Sequence, residues 1–476
     1  MTEVVLGVDL GTTATKVIAV DRRAKVVASA ERSSPMRTTA DGFATHDPRE
    51  VLDAAFSALR EVAAGDYEVR ALALTGAMHT LLGLDANGDP VTESLSWADN
   101  RAVEQTARLR GTPEGRALHR ATGTPIHTMA PLSKLAWMAE HGVTAAKWCG
   151  LKDFVASKLT GALTTEHSSG SGTGLMDIHS LTWHPDALAF ARVSATQLPE
   201  LEAPTSHRPL VAEVGLPPGL PVVAGGGDGP MGNLGVGAVV PGVGAVSLGT
   251  SGALRVTQDG PGVDEECRTF CYAIGDGLWA RGGAVSNGGV VAQWAAETFG
   301  VEVGELLTRA AAVPLGAQGI VALPYLLGER APWWDPTVTG ALLGLRREHG
   351  PAEITRALVE GVCQQLALVL DAVPHVEEIR VTGGAFRSSL WSGVLSAALG
   401  LPLTVAEDSG GSAVGVALLG WRALGELSSL TEAAALVVPT RTITPDPDAV
   451  AFYARRRPLV QRAYLALKDL WEDQRP

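Results

Sequence analysis

The chain has 476 residues, too many for one compact hydrophobic core, so two domains of similar size are expected. With 46% hydrophobic and 19% charged residues it has the make-up of a folded globular protein, not a disordered one. A formal net charge of −13 argues against a broad nucleic-acid or anionic-membrane surface and leaves small molecules as partners; an anionic one stays open where a local Arg, Lys or helix N-terminus outweighs the screened field.

In chain order, the N-terminus MTEVVLGVDLGTT carries Glu3 and Asp9 within its apolar run, so it reads as a strand and not as a signal peptide. The turn at Gly11, Thr12 and Thr13 then leads into a second strand-like run, Val17 to Val20. Glycine lets backbone approach a ligand closely, consecutive N–H groups in a tight turn make an anion-binding concavity, and threonine hydroxyls add donors. A carboxylate beside such a turn would repel phosphate unless a cation intervened. Asp9 is therefore a candidate Mg²⁺ ligand, through waters that this ion tends to keep.

Further on, HSSGSGTG (167–174) reads either as a cleft loop or as a turn. The run GGGDGPMGNLG (225–235) follows the apolar segment PVVA, which places the lone carboxylate of Asp228 at the C-terminal end of a strand, where α/β sheets bind ligands. A plainer reading makes Asp228 a helix N-cap, and both can hold at once. Phosphoryl transfer needs a carboxylate to orient and deprotonate the attacking hydroxyl, and Asp228 is the candidate. The uncharged stretch Gly229 to Leu254 is interrupted by Pro230, Pro241 and many glycines, so buried strands joined by tight turns are expected there, not a membrane span.

Almost half the chain after VDLGTTA (8–14), the segment VSLGTSGA (246–253) repeats the pattern of strand, Gly-Thr turn and strand, with Ser247 where Asp9 stood. A shared turn type could arise by chance, but a duplicated domain predicts this spacing. Gly249, Thr250 and Ser251 would then clamp a polyphosphate opposite Gly11, Thr12 and Thr13. No Gly-Lys dipeptide occurs, so a Walker A loop is excluded. Cys149, Cys267, Cys271 and Cys363 form no zinc pattern and are expected as reduced thiols of a cytoplasmic protein. A loop at Leu436 to Pro447 should precede a last helix, Asp448 to Leu470.

Together these motifs resemble the FGGY family of carbohydrate kinases, within the actin-like ATPase superfamily. MAPLSKLAWMAEH (129–141) fits the family's first signature, including Lys134 and Trp137, and GALLGLRREHGPAEITRALVE (340–360) fits the second, with Gly344, Glu353 and Ala357 in place. The resemblance runs from about residue 4 to residue 425. It implies two α/β domains of ribonuclease-H-like fold, 1–239 on the sugar side and 240–476 on the nucleotide side, with a cleft between them. It implies ATP and Mg²⁺ as cofactors, Asp228 as catalytic base, and metal association at Asp9 and, through water, Asp228. TGGAFRSSLW (382–391) matches the adenosine segment, which implies nucleotide contacts at Gly383, Gly384, Ala385 and Ser388. The sugar-contacting positions match Met78, His79, Trp97, Asp99 and Arg101. On plainer grounds His79 is a satisfied turn histidine and Arg101 a solvated partner of Glu104.

Xylulose kinases usually carry Gln-Met-His-Gly where this chain has Ala77, Met78, His79 and Thr80. TGTPIHTMAPLSKLAWM (122–138), SWADNR, DGPMGNLG and LGTSGALR are closer to the gluconate-kinase branch, so D-gluconate is the expected substrate, with xylulose or another ketose or polyol as the alternative. Its carboxylate needs a donor, for which Arg101, His127 and Lys134 are the cations near the motifs. An ATPase switch of the actin or chaperone type would share the hairpins but leave Trp97, Asp99 and the first signature unexplained. Oligomeric state is open, a homodimer being one option.

Overall fold

The computed structural model describes residues 1–39, 41–406 and 411–473. Strands β1 (Glu3–Leu10), β2 (Ala14–Asp21) and β3 (Val26–Ser33) form an antiparallel meander. β4 (Glu68–Gly76) and β6 (Pro221–Gly227) extend it with parallel pairing beyond β1, and β5 (His207–Pro209) closes the edge antiparallel to β6. Val4, Val5, Leu6 and Val8 of β1 are all fully buried, as expected of a central strand covered on both faces.

A second sheet comprises β7 (Gly242–Leu248), β8 (Gly252–Asp259), β9 (Phe270–Gly275), β10 (Leu278–Val285), β11 (Val376–Thr382), β12 (Leu403–Val405) and β13 (Arg441–Ile443). Its order β10-β8-β7-β11-β12-β13 repeats the first sheet's β3-β2-β1-β4-β6-β5, with β9 added outside β10. Strand directions agree as well, and the parallel pairs β1/β4 and β7/β11 each carry a register shift near their start. In this frame Asp9 lies beside Thr75 and Ser247 beside Thr382. The two Gly-Thr turns are the same corner of a duplicated α/β unit.

The stretch expected as strands opens on a helix, α1 (Asp228–Gly235), the element that the helix-start reading of Asp228 allowed. Pro230 is accommodated because it sits in the first turn, where a missing N–H is not needed. α1 crosses α2 (Ser412–Ala423) at a distance only glycine permits: a Cβ on Gly235 would lie 2.0 Å from Gly411 O, and one on Gly415 1.8 Å from Met231 O. α2 follows the second sheet in sequence yet shares a core with the first, its Ala413, Val414 and Ala417 packing with Val5, Ile18 and Ala73. The two halves are thus joined through one apolar layer, and the C-terminal ends of β1 and β7 face each other near it. The last helix, α3 (Pro447–Asp473), is three residues longer at its C-terminal end than expected. Among the described residues no helix is long and apolar enough to cross a membrane. All four cysteines are free and buried.

Candidate functional site

The turn after β1 is closed by Gly11 N–H donating to Ala14 O at 3.1 Å, and His46 Nε2 anchors it on Thr12 O at 2.8 Å. The equivalent turn after β7 is closed by Gly249 N–H to Ser251 O at 2.9 Å. Gly288 and Gly289 brace it, donating to Thr250 O and Gly249 O at 3.0 and 2.7 Å. Thr13, Gly249 and Thr250 are exposed at the cleft rim.

Asp9 ends β1. Its Oδ2 accepts from Ser412 Oγ at 2.5 Å, while Oδ1 is buried without a partner. Burial pushes its carboxyl up to about 6, aided by the charge of Asp228 and opposed by the Ser412 bond and Lys16. An acceptor oxygen left without a donor, and kept acidic only at a cost, suits a cation. Among the described residues no cluster of three or more ligating side chains exists. An ion such as Mg²⁺ takes one or two carboxylates and draws its other oxygens from phosphate and water.

Asp228 is the first residue of α1, and Gly227, not Asp228, occupies the N-cap. Its Oδ1 accepts from its neighbour Gly229 N–H at 2.8 Å and from Met78 N–H at 3.4 Å. Burial raises its pKa, opposed chiefly by Arg255. The carboxylate faces a cavity of about 230 Å³ shared with Thr12, Met78, His79, Trp97, Ser251 and Arg330. Residues from both halves thus meet there. Trp97 donates from Nε1 to Thr12 Oγ1 at 3.2 Å and carries the Arg330 guanidinium 4.7 Å over its ring.

His79 takes a left-handed backbone, φ 65°, a costly conformation that clusters at functional sites. Its Nδ1–H donates to Gly172 O at 2.6 Å, leaving Nε2 toward Tyr272 OH at 3.4 Å. Burial drives its pKa down to about 3, so the ring is neutral. The 167–174 run, left open above, forms a short helix, His167–Gly170, and a turn whose Gly172 supplies that carbonyl.

Asp99 and Arg101 do not line this cavity. Asp99 is fully buried and accepts from Arg101 Nε and Nη2 at 2.8 and 2.9 Å and from Ala44 N–H at 2.8 Å. Arg101 lies between the rings of Phe43 and Trp137, at 4.2 and 5.0 Å. It pairs with Asp99 and not with Glu104. Lys134 is fully buried, its Nζ donating to His79 O at 2.9 Å and Ser96 O at 2.5 Å, and burial lowers its pKa to about 7. It fastens the sugar-motif loops from behind. His127 is buried near Arg330 and Trp334.

Across the cleft, Gly249, Thr250, Gly384, Ala385 and Ser388 line a second cavity of about 690 Å³, with Val290, Gln293 and Trp391. Gly383 carries φ 117°, and a Cβ there would lie 2.3 Å from Leu248 O, so the β11 turn abuts the end of β7. A groove of this size beside a Gly-rich turn fits a purine nucleoside, with phosphates extending toward the two Gly-Thr corners.

Sequence reasoning missed Arg255, Arg330, Tyr272 and Ser412. Arg255 follows Ala253 by two on β8 and so shares its face, in reach of Asp228; strand alternation from the second hairpin was the available signal. Ser412 and Arg330 carried no local signal.

Comparison with known proteins places these observations in a family. Residues 4–235 match the model for the FGGY family of carbohydrate kinases, N-terminal domain, and residues 244–424 that for its C-terminal domain. The chain is 33% identical to the gluconokinase of Bacillus subtilis (strain 168), covering 100% of this chain and 97% of that one. It is 29% identical to the xylulose kinase of Escherichia coli (strain K12), over 98% and 99%. Among solved structures, the gluconate kinase of Lactobacillus acidophilus superposes with TM-score 0.92 at 30% identity, covering 98% of each chain. The ligand-bound xylulose kinase from the same organism superposes with TM-score 0.93, also at 30%, covering 99% of each.

Proposed function

This chain belongs to the FGGY family of carbohydrate kinases, and on that footing we propose that it uses ATP to phosphorylate the terminal hydroxyl of a sugar acid, D-gluconate, giving 6-phosphogluconate. The observation that carries the reading is one cavity in which the Asp228 carboxylate meets residues of both Gly-Thr corners and two guanidinium groups, Arg255 and Arg330. Two cations against one carboxylate favour an anionic guest over a neutral ketose. The identity to gluconokinases supports the same choice.

The substrate's chain lies along Met78, His79 and Trp97, its terminal hydroxyl at Asp228. Asp228 accepts the hydroxyl proton as that oxygen attacks the γ-phosphorus in line and the bond to the β-phosphate oxygen breaks. Desolvation raises the Asp228 pKa and makes it a stronger base than a solvated carboxylate, an effect that the charge of Arg255 opposes. The backbone and hydroxyl donors of Gly11, Thr12, Thr13, Gly249, Thr250 and Ser251 hold phosphate oxygens, and Gly383, Gly384, Ala385 and Ser388 seat the adenosine. Asp9, with Asp228 through water, would hold Mg²⁺, whose chemistry there is to offset charge on the phosphate oxygens. Closure of the two halves keeps water from competing as acceptor.

The test is ADP release with ATP and Mg²⁺ against gluconate, xylulose, ribulose, glycerol and a no-sugar control. Gluconate-dependent release is expected. Release driven by a ketose instead favours the second reading, which the xylulose kinase relatives support, and release without any sugar contradicts both.

A further inference from the structure

Glu329 stands next to Arg330 in the chain and is 1% exposed. An acid this deep needs its oxygens matched by donors. Its Oε1 accepts the Ser286 N–H at 2.6 Å and the Arg330 N–H at 2.8 Å, and its Oε2 accepts from Asn287 Nδ2 at 3.2 Å. Burial pushes its carboxyl up to about 7, opposed by these three bonds and by the Arg330 charge. Two of the three donors are backbone groups, so the carboxylate fixes the course of the chain on both sides of it.

One of those sides is the segment that follows β10. Asn287 laces it further to the Glu329 segment: Nδ2 also donates to Gly328 O at 2.8 Å, and Oδ1 accepts the Leu327 N–H at 3.2 Å. The next residues, Gly288 and Gly289, are the ones that donate to Thr250 O and Gly249 O, and the Val290 N–H joins them on Thr250 O at 3.2 Å. The approach is as close as glycine allows. A Cβ on Gly288 would lie 2.7 Å from Ser251 O, and one on Gly289 2.9 Å from Gly249 O.

This bracing bears on the donors of the second Gly-Thr turn. In a trans peptide the C=O and the following N–H point to opposite sides. Pinning Gly249 O and Thr250 O therefore sets the directions of the Thr250 and Ser251 N–H groups, in a turn whose residues line the nucleotide cavity and the Asp228 cavity. Donors serve a transferring phosphoryl group only when they are aimed before it arrives.

We propose that Glu329 is a positioning residue for phosphoryl transfer: it fixes residues 286–289, and through them the aim of the Thr250 and Ser251 N–H groups at the polyphosphate. It touches neither sugar nor nucleotide. This rests on the reading above that the second Gly-Thr turn holds phosphate oxygens.

Two variants separate reach from charge. Glu329→Asp keeps the charge but draws the carboxylate back by one methylene from the Ser286 N–H. Glu329→Gln keeps the reach and an acceptor oxygen for both backbone N–H groups, without the charge. Affinities for ADP and AMP in the presence of Mg²⁺ are measured by calorimetry. The kcat is measured at saturating ATP and the sugar that the wild type phosphorylates, with melting temperature as a folding control. Glu329→Asp is expected to weaken ADP about tenfold, as for misdirected hydrogen bonds to a charged group, and to leave AMP unchanged. Its kcat should fall by up to about 10²-fold, as for a reacting group set slightly out of place. Glu329→Gln should recover most of both losses. Equal losses for ADP and AMP overturn the role by marking a general structural defect, and an unchanged ADP affinity in folded Glu329→Asp overturns it outright. A folded Glu329→Gln with weakened ADP binding and lowered kcat overturns it even where Glu329→Asp fails to fold, because the charge and not the reach is then what matters. A wild-type protein that binds ADP no more tightly than AMP overturns the phosphate reading of the second turn, before any variant is made, and the role of Glu329 with it.

Discussion

Ser412, the first residue of α2, donates a 2.5 Å hydrogen bond to Oδ2 of Asp9, a residue 403 positions earlier on the other half of the chain. The bond ties the helix that bridges the two sheets to the carboxylate that ends the first hairpin strand. It satisfies one oxygen and leaves Oδ1 buried and unpaired. The burial that lifts the Asp9 carboxyl to about 6 is a destabilisation of the empty protein that a bound cation would relieve.

Asp9→Asn should therefore stabilise the ligand-free protein at neutral pH while removing activity. A carboxyl with its folded pKa raised from 3.8 to about 6 holds its proton more tightly when folded, so stability is lost as pH rises through that window and stays lost above it. The difference corresponds to at most about 3 kcal/mol at pH 8. Denaturant unfolding of both proteins without Mg²⁺ or nucleotide should show the variant more stable at pH 8 and the gap closing near pH 4. A gap independent of pH would mean that the Asp9 charge is not what is relieved.

Arg101→Met should behave as a fold defect and not as a pocket defect. It strands the fully buried Asp99 carboxylate, a loss of about 3–5 kcal/mol when one partner of a buried pair is removed. Adding Asp99→Asn to Arg101→Met should recover much of the melting temperature, and the gluconate KM of the folded double variant should match wild type. A selective rise in gluconate KM would return Arg101 to the sugar site.

Gly383→Ala tests the nucleotide side. The added Cβ meets Leu248 O at 2.3 Å on a backbone of φ 117°, so the β11 turn must shift or strain by about 1–3 kcal/mol. The expected outcome is a raised ATP KM and a lower melting temperature with the sugar KM unchanged. An unaltered ATP KM would separate this turn from the nucleotide.

Much of this was legible in the sequence, for reasons that are themselves physical. The two Gly-Thr hairpins announce themselves because a phosphate-sized turn demands small residues in a fixed order. Asp228 stands out because a lone carboxylate after a buried strand has few structural uses. The α1 helix showed only as the N-cap reading of Asp228, because glycines and Pro230 are poor helix formers, and its reason for carrying them is the close crossing with α2, a tertiary fact. Lys134 and Arg101 read as candidate carboxylate donors because nothing local reveals that Lys134 is buried against the carbonyls of residues 79 and 96, or that Arg101 folds back onto Asp99 between two aromatic rings. Arg330 was invisible for the converse reason: its route into the pocket depends on the packing of a segment without periodicity.

The central claim, that Asp228 takes the proton of a sugar hydroxyl during phosphoryl transfer, is tested most directly by the turnover number of Asp228→Asn under saturating ATP, Mg²⁺ and gluconate. Asn keeps the shape and the acceptor for Gly229 and Met78 N–H but cannot take the proton. The account predicts a fall of about 10²–10⁴-fold with melting temperature and ATP affinity preserved. Turnover near that of the wild type would contradict it.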